Sequence, residues 1–397
     1  MQGKDKAGEF YRQFHYGLFS YISYRIPEIS NDIYRVDDAM TAGFGWQTGA
    51  FESWDICGVK ETVSKMKEAG YPVAPWVEEM ISKGITAFYI IKNGKRLYYN
   101  VSKKEYVPVA GTEAYIVMKN FSGETIWKNN ACRLYHLGEE VLGLEWYTKM
   151  GSIGGEVLEG IQHSISVSEE KYKGLVIANE GANFSAGANV GMLFMLAIEQ
   201  EYEELDMAIR MFQQTMMRAR YSSIPVVVAP HGLALGGACE LSLHADKVVA
   251  AAETYMGLVE FGVGVIPGGG GSKELALRAA DLFRKNDVEL NVLQEYFMTI
   301  AMAKVSTSAY EAFDLGLLQK GKDIVVVNRD RQIAEAKKHA LLMAEAGYTQ
   351  PVKRTDVKVL GKQALGMFLV GTDQMVAGKY ISEHDQKIAN KLAYVMA

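Results

Sequence analysis

The sequence predicts an α/β unit over residues 131–397, preceded by a small all-α unit over 1–85 and joined to it by a β-hairpin and linker over 86–130. Three observations carry this reading. The first stretch spaces its apolar residues for helices. Two β-prone runs flank Asn93-Gly94. From about residue 131 onward, short apolar runs alternate with helical segments, the pattern of largely parallel pairing with crossover helices.

In the N-terminal stretch Phe10, Phe14, Phe19 and Ile22 fall near helical spacing, and Pro27 and Asn31-Asp32 punctuate the chain. A second helix is expected from Asp37 to Ala42, ending in Gly43-Phe44-Gly45, and a third from Gly58 to Gly70, before Pro72 and Pro75. Phe88–Tyr99 then reads as a hairpin, because Asn-Gly tolerates the positive φ of a type I′ turn. Val101 to about Asn130 reads as an irregular polar linker. Strands are expected at Val141–Trp146, Leu175–Asn179, Val226–Ala229, Val248–Ala251 and Ile324–Val327. Helices are expected around 152–170, 192–220, 237–245, 272–297 and 307–316, with the C-terminal ~45 residues helical again. No internal repeat has a fixed period.

The 397 residues amount to two to three domains at roughly 100–200 residues each. With 49% hydrophobic and 22% charged residues, a buried core is readily built and a disordered chain is excluded. A net charge of −5 gives no basic excess for nucleic acid or an anionic membrane surface. No apolar run approaches the roughly 20 residues of a membrane span, and the first residues do not read as a signal peptide. Cys57, Cys132 and Cys239 are widely spaced, with no CxxC, so packing thiols in a reducing, cytoplasmic compartment are expected. The seven histidines form no HExxH, and no metal site is expected.

Several motifs fail on inspection. Gly43-Phe44-Gly45 follows no strand and lacks the third glycine of a dinucleotide-binding turn. Gly268–Lys273 lacks the Gly-Lys-Ser/Thr order of a phosphate loop, and no GxSxG occurs. Three segments remain: Phe184–Asn189 after one strand, His231–Glu240 after another, and Gly257–Gly271. In the first two, a strand leads through small residues into a helix start. Small residues let a ligand approach the backbone, and helix starts present unpaired N–H groups. Two such turns facing each other would hold a developing oxyanion. Glu240 in the first turn of a helix and Glu260 after a separate strand would supply base and acid.

The second and third segments closely resemble the crotonase (enoyl-CoA hydratase/isomerase) superfamily, in which Gly-Gly-x-Cys-Glu-Leu and Gly-x-x-Glu-x-Gly-x-x-Pro-Gly-x-Gly-Gly recur. The resemblance covers about 131–397 and implies a ClpP/crotonase-like core with C-terminal helices. It assigns oxyanion-hole amides to Ala188 and Gly237 and catalytic carboxylates to Glu240 and Glu260. It implies an acyl-CoA thioester substrate, no cofactor for hydration, and a trimeric or hexameric homo-oligomer. Asn189 stands where many members have Asp, and no Lys or Arg follows it closely, so no CoA phosphate contact is assigned.

The N-terminal segments Arg25–Ile29, Asp37–Met40, Gly43–Trp46 and Phe51–Asp55 resemble the C-terminal helical domain of 3-hydroxyacyl-CoA dehydrogenases. The chain as a whole thus resembles the C-terminal half of a bifunctional β-oxidation protein. Its dehydrogenase part is expected to be incomplete, with NAD used only by the full-length protein. The expected reaction is syn-hydration of a trans-2-enoyl-CoA. Δ3,Δ2-enoyl-CoA isomerisation by Glu260, or a non-catalytic acyl-CoA-binding and assembly role, are the alternatives. Cys239, His231, His244 and the methionines Met207, Met211, Met216 and Met217 read as structural.

Overall fold

The computed structural model describes residues 3–397 and divides the chain after Ala114 into two compact units. The first unit holds α1 (Lys6–Arg25), α2 (Ile33–Phe44), α3 (Ala50–Cys57), α4 (Val59–Glu68) and α5 (Pro75–Ser82). An antiparallel sheet follows, of β1 (Tyr89–Lys92), β2 (Lys95–Asn100) and β3 (Glu105–Pro108). Helix ends are capped locally: the Asp5 carboxylate accepts from Gly8 N at 2.8 Å, and Pro75 opens α5, where its missing N–H costs nothing. The start of α3 is capped from a distance. Its N-cap is Gly49, and a Cβ there would lie 2.2 Å from Asp37 Cβ. Asp37 of α2 instead accepts from Phe51 N and Glu52 N at 2.9 and 3.0 Å. Asp55 of α3 does the same for Phe88 N and Tyr89 N at the sheet edge. The core of this unit is aromatic, with the Phe19 and Trp54 rings stacked at 4.8 Å, a contact worth about 0.5–1.5 kcal/mol beyond area burial.

The sheet of this first unit differs from the expected linker. Residues 105–108 add a third strand to the hairpin, and Tyr98, Tyr99 and Val109 bury into the helical core. The unit therefore reaches Ala114 rather than stopping at 85. The later part of the expected linker belongs to the second unit, as a short 3-10 segment (Met118–Glu124) and β4 (Thr125–Lys128).

The second unit is built on a seven-stranded sheet. Its further members are β5 (Cys132–His136), β6 (Val141–Trp146), β7 (Gly174–Ile177), β8 (Val226–Val228), β10 (Lys247–Ala251) and β12 (Ile324–Val326). A separate parallel pair joins β9 (Gly232–Leu235) to β11 (Thr254–Gly257). The order in the large sheet is β12-β10-β8-β7-β6-β5-β4, parallel from β12 to β6 and antiparallel beyond. The crossovers are α6 (Gly155–Lys171), α7 (Val190–Ile198), α8 (Tyr202–Arg220), α9 (Gly237–His244), α10 (Gly271–Asp281), α11 (Glu289–Ala301) and α12 (Ala309–Asp314). Helices α13 (Gln332–Glu345), α14 (Gly361–Ala377) and α15 (Glu383–Met396) close the chain.

Both faces of the central strands are buried, which explains their unbroken apolar runs. Leu175, Ile177, Val226, Val228, Val248 and Ala250 pack into the larger core with α6, α8, α9 and α10. Val176, Ala178, Val227, Ala229 and Val249 face Ile333, Ala336 and Ala340 of α13. The expected single helix over 192–220 is two, divided at Gln200, whose φ is +59°. Among the methionines expected to pack in the core, Met216 is buried and Met211 partly so, whereas Met207 is exposed. Helix α7 is the most apolar of all yet buries no side chain.

Candidate active site

Strand pairing assembles the site. Residues 184–185 run beside β9, through Phe184 N to His231 O and Ser185 N to Leu233 O, both 2.8 Å. The pairing of β9 with β11 sets Leu235 opposite Gly257, and Gly236 N donates to Gly257 O at 2.8 Å. The turn before Ala188 is thereby held against the turn into α9. Gly187 has φ +97°, and a Cβ there would lie 2.9 Å from Leu235 O and 3.5 Å from Gly237 N. Gly236, at φ +52°, makes the bend that starts α9. The N–H of Gly237 lies in the first turn of α9, where no intrahelical acceptor exists. Among the described residues, neither it nor the Ala188 N–H donates a hydrogen bond. Asn189, noted above as a departure from the pattern of the resemblance, caps α7 with its side chain on Met192 N.

Both carboxylates come to this place. Glu240 is buried at 2% exposure, and its Oε1 accepts from Gly269 N and Gly271 N, each at 2.8 Å. Glu260 opens a 3-10 turn after β11. A Cβ on Gly236 would lie 3.2 Å from Glu260 Oε1, while Glu260 Oε2 is buried with no hydrogen-bond partner. Burial pushes Glu240 well above the ordinary carboxylate range, and the two backbone donors and then Lys273 pull it back. Burial pushes Glu260 up further, and the Glu240 charge adds to that. The donors and the cation opposing burial at Glu240 favour its ionised form, which makes Glu260 the better proton holder of the two. The pair therefore suits one base and one acid beside two free backbone donors.

The glycine-rich run rejected as a phosphate loop turns out to be what holds Glu240. Its role was not legible because its N–H groups face a carboxylate from another helix. Phe212 of α8 was also missed: its ring lies where side chains on Gly237 or Gly269 would stand. Nothing in local sequence marks it. His244 and His231 are hydrogen-bonded, His244 Nδ1 to Glu240 O at 2.7 Å and His231 Nε2 to Gly181 O at 2.8 Å. Cys239 is fully buried, and burial raises its thiol pKa, so it is not a thiolate. Among the described residues, no group of three or more His, Cys, Asp or Glu could hold a metal ion. No described helix is long and apolar enough to cross a membrane.

Residues 148–282 match the family model described as enoyl-CoA hydratase/isomerase. The second unit has the crotonase-like α/β fold that this match implies, and a helical region precedes it in the chain. A probable 3-hydroxyacyl-CoA dehydrogenase of Bacillus subtilis (strain 168) is 42% identical over 396 residues, 99% of this chain and 49% of the relative. A putative fatty acid oxidation complex trifunctional enzyme of Rickettsia felis is 29% identical over 262 residues, 66% of this chain and 34% of the relative. The chain thus spans half the length or less of these curated relatives. The crystal structure of an enoyl-CoA hydratase from Polaromonas sp. JS666 superposes with a TM-score of 0.45 at 20% identity, covering 67% of this chain and 90% of the other. The chain is thus similar to proteins named for 3-hydroxyacyl-CoA dehydrogenation and fatty acid oxidation.

Proposed function

We propose that the second unit is a crotonase-family domain that hydrates trans-2-enoyl-CoA thioesters to 3-hydroxyacyl-CoA. The supporting observation is the asymmetric carboxyl pair: Glu240 fastened by two backbone N–H groups and Glu260 with a buried, unpartnered oxygen. In this reading Ala188 N–H and Gly237 N–H take the thioester oxygen and stabilise the enolate that forms. Glu240 accepts a proton from the water that attacks C3. Glu260 gives its proton to C2. One water is added, and the proton taken by Glu240 returns the pair to its starting charge by transfer to Glu260. No electron is moved, so the step needs no redox cofactor from this chain.

The first unit then corresponds to the helical domain of a 3-hydroxyacyl-CoA dehydrogenase, and NAD chemistry belongs to the full-length protein. A homo-oligomer, trimeric or hexameric, is part of the same reading and is measured by light scattering. A cytoplasmic site of action is part of it too.

The test is hydration of crotonyl-CoA. Glu240→Gln and Glu260→Gln are each expected to lose about 10²–10⁴-fold in kcat. Retention within about tenfold, a barrier change of only ~1.4 kcal/mol, sinks the assignment. Assaying a 3-enoyl-CoA alongside separates hydration from isomerisation, for which Glu260 alone suffices. Acyl-CoA binding without turnover at any chain length would identify a non-catalytic module.

A further inference from the structure

Behind Glu240 lies a set of charged and polar groups, from buried His244 and Glu274 to partly exposed Lys273, that the reaction as written does not use. His244, one turn further along α9, is 1% exposed. Its Nδ1 lies 2.7 Å from the Glu240 carbonyl oxygen, and its Nε2 lies 3.0 Å from Lys273 Nζ. An ammonium has only protons to offer, so Nε2 accepts. The imidazole is then neutral, with its proton on Nδ1 donated to Glu240 O. Burial, and next the Lys273 charge, push the His244 pKa down to about 3, in keeping with that tautomer. Lys273 stands two residues after Gly271, whose N–H holds the Glu240 carboxylate. Its ammonium also meets Glu274 Oε2 at 3.3 Å. Glu274 in turn is paired with Arg220 of α8 at 2.5 Å and Arg278 at 3.3 Å. Lys273 is thus fixed from two sides, by Glu274 and by His244, whose other nitrogen donates to the Glu240 carbonyl.

We infer that Lys273, positioned through neutral His244, adds to the Gly269 and Gly271 N–H groups in holding Glu240 as the ionised member of the carboxyl pair. This rests on the hydration reading for its catalytic meaning. The groups facing Glu240 are few. Glu260 beyond β11 has its own pKa raised by the Glu240 charge. Cys239 and His244 on α9 are uncharged. Glu274 on α10 is neutralised by Arg220 and Arg278. Lys273 is the cation in this set hydrogen-bonded to His244, which in turn donates to the Glu240 carbonyl. Burial alone would raise the Glu274 carboxyl, but the cations Arg220, Arg278 and Lys273 hold it down to about 2, so it remains an anchor for the ammonium. Lys273 also lines a cavity of about 420 Å³ with Met217, Tyr221, Phe283, Leu293 and Met396. Shortening or neutralising it therefore opens room and overpacks nothing.

The experiment compares Lys273→Met, Lys273→Gln and Lys273→Arg with the intact chain. Glutamine can still donate to His244 but carries no charge. The first readout is the pH dependence of crotonyl-CoA hydration. The second is an infrared titration of the carboxyl bands of the free protein, with Glu240→Gln as the reference that assigns the Glu240 band. Removing a cation favours the protonated acid, so the acid limb of kcat and the Glu240 band are both expected to move up by about one pH unit in the Met and Gln variants. KM is expected to stay constant, and Lys273→Arg to keep the wild-type midpoint. Wild-type midpoints in Lys273→Gln overturn the inference, as does a changed KM with an unchanged pH profile. If wild type hydrates no enoyl-CoA but the Glu240 band still shifts, the tuning stands and the hydratase reading fails. Circular dichroism melts establish that each variant folds.

Discussion

The Phe212 ring leans on Gly237 so closely that a methyl group at Gly237 would lie 2.4 Å from Phe212 Cζ. Relief requires either the ring or the turn into α9 to shift, and the turn carries the free N–H. Gly237→Ala is therefore expected to lower kcat for crotonyl-CoA hydration by about 10²–10³-fold, the usual loss of one oxyanion donor. Gly237→Ala,Phe212→Ala, which removes the obstruction, should recover part of that loss. Steady-state kinetics on both proteins measures it.

The carboxyl pair predicts a bell-shaped pH profile for kcat with both limbs above the ordinary carboxylate range. Falling pH protonates Glu240 and removes the base. Rising pH takes the proton from Glu260 and removes the acid. Burial raises both, Glu260 the more, so activity is expected to be greatest near and above neutrality. A profile already flat at the pH of ordinary carboxylates would contradict it.

Asp37 should govern the stability of the first unit. Asp37→Ala strands the N–H groups of Phe51 and Glu52 at the start of α3, at a cost of roughly 1–3 kcal/mol in chemical denaturation. The pH dependence has a definite sign. Burial raises the Asp37 pKa from 3.8 to about 6. Its contribution is complete below the unfolded value and declines as pH rises through about 6. Asp55 behaves alike. Denaturation midpoints for this unit should therefore fall between pH 4 and 7, and less steeply in Asp37→Ala.

Thiol chemistry should separate the cysteines. Cys132 and Cys239 are buried and Cys57 is half-buried. Alkylation of the folded protein followed by peptide mapping is expected to label Cys57 first and to reach the other two only on unfolding.

Much of this fold is legible in the amino-acid sequence. Asn93 and Gly94 take φ of 52° and 70°, the left-handed pair that a two-residue type I′ turn demands, and Lys92 pairs with Lys95 across it. The central strands were legible because both their faces are buried. Strands β3 and β4 were not. Glu105–Pro108 and Thr125–Lys128 are edge segments mixing polar and apolar residues, and what makes them strands is the neighbour they pair with. The same division holds at the site. Glu240 and Glu260 stand out through their spacing and glycine surroundings. Phe212 and Lys273 do not, since each acts on a turn contributed by another part of the chain.

The walls around the two carboxylates are largely main chain. Side chains at Gly236, Gly237, Gly269 or Gly271 would meet Glu260, Phe212, Glu240 or Leu258 within 3.2 Å. A surface made of peptide groups offers the same few amides whatever the neighbouring codons become. It cannot be re-cut by substitution without losing its shape. Reshaping the site while keeping its amides in place therefore falls to side chains farther out than these glycines.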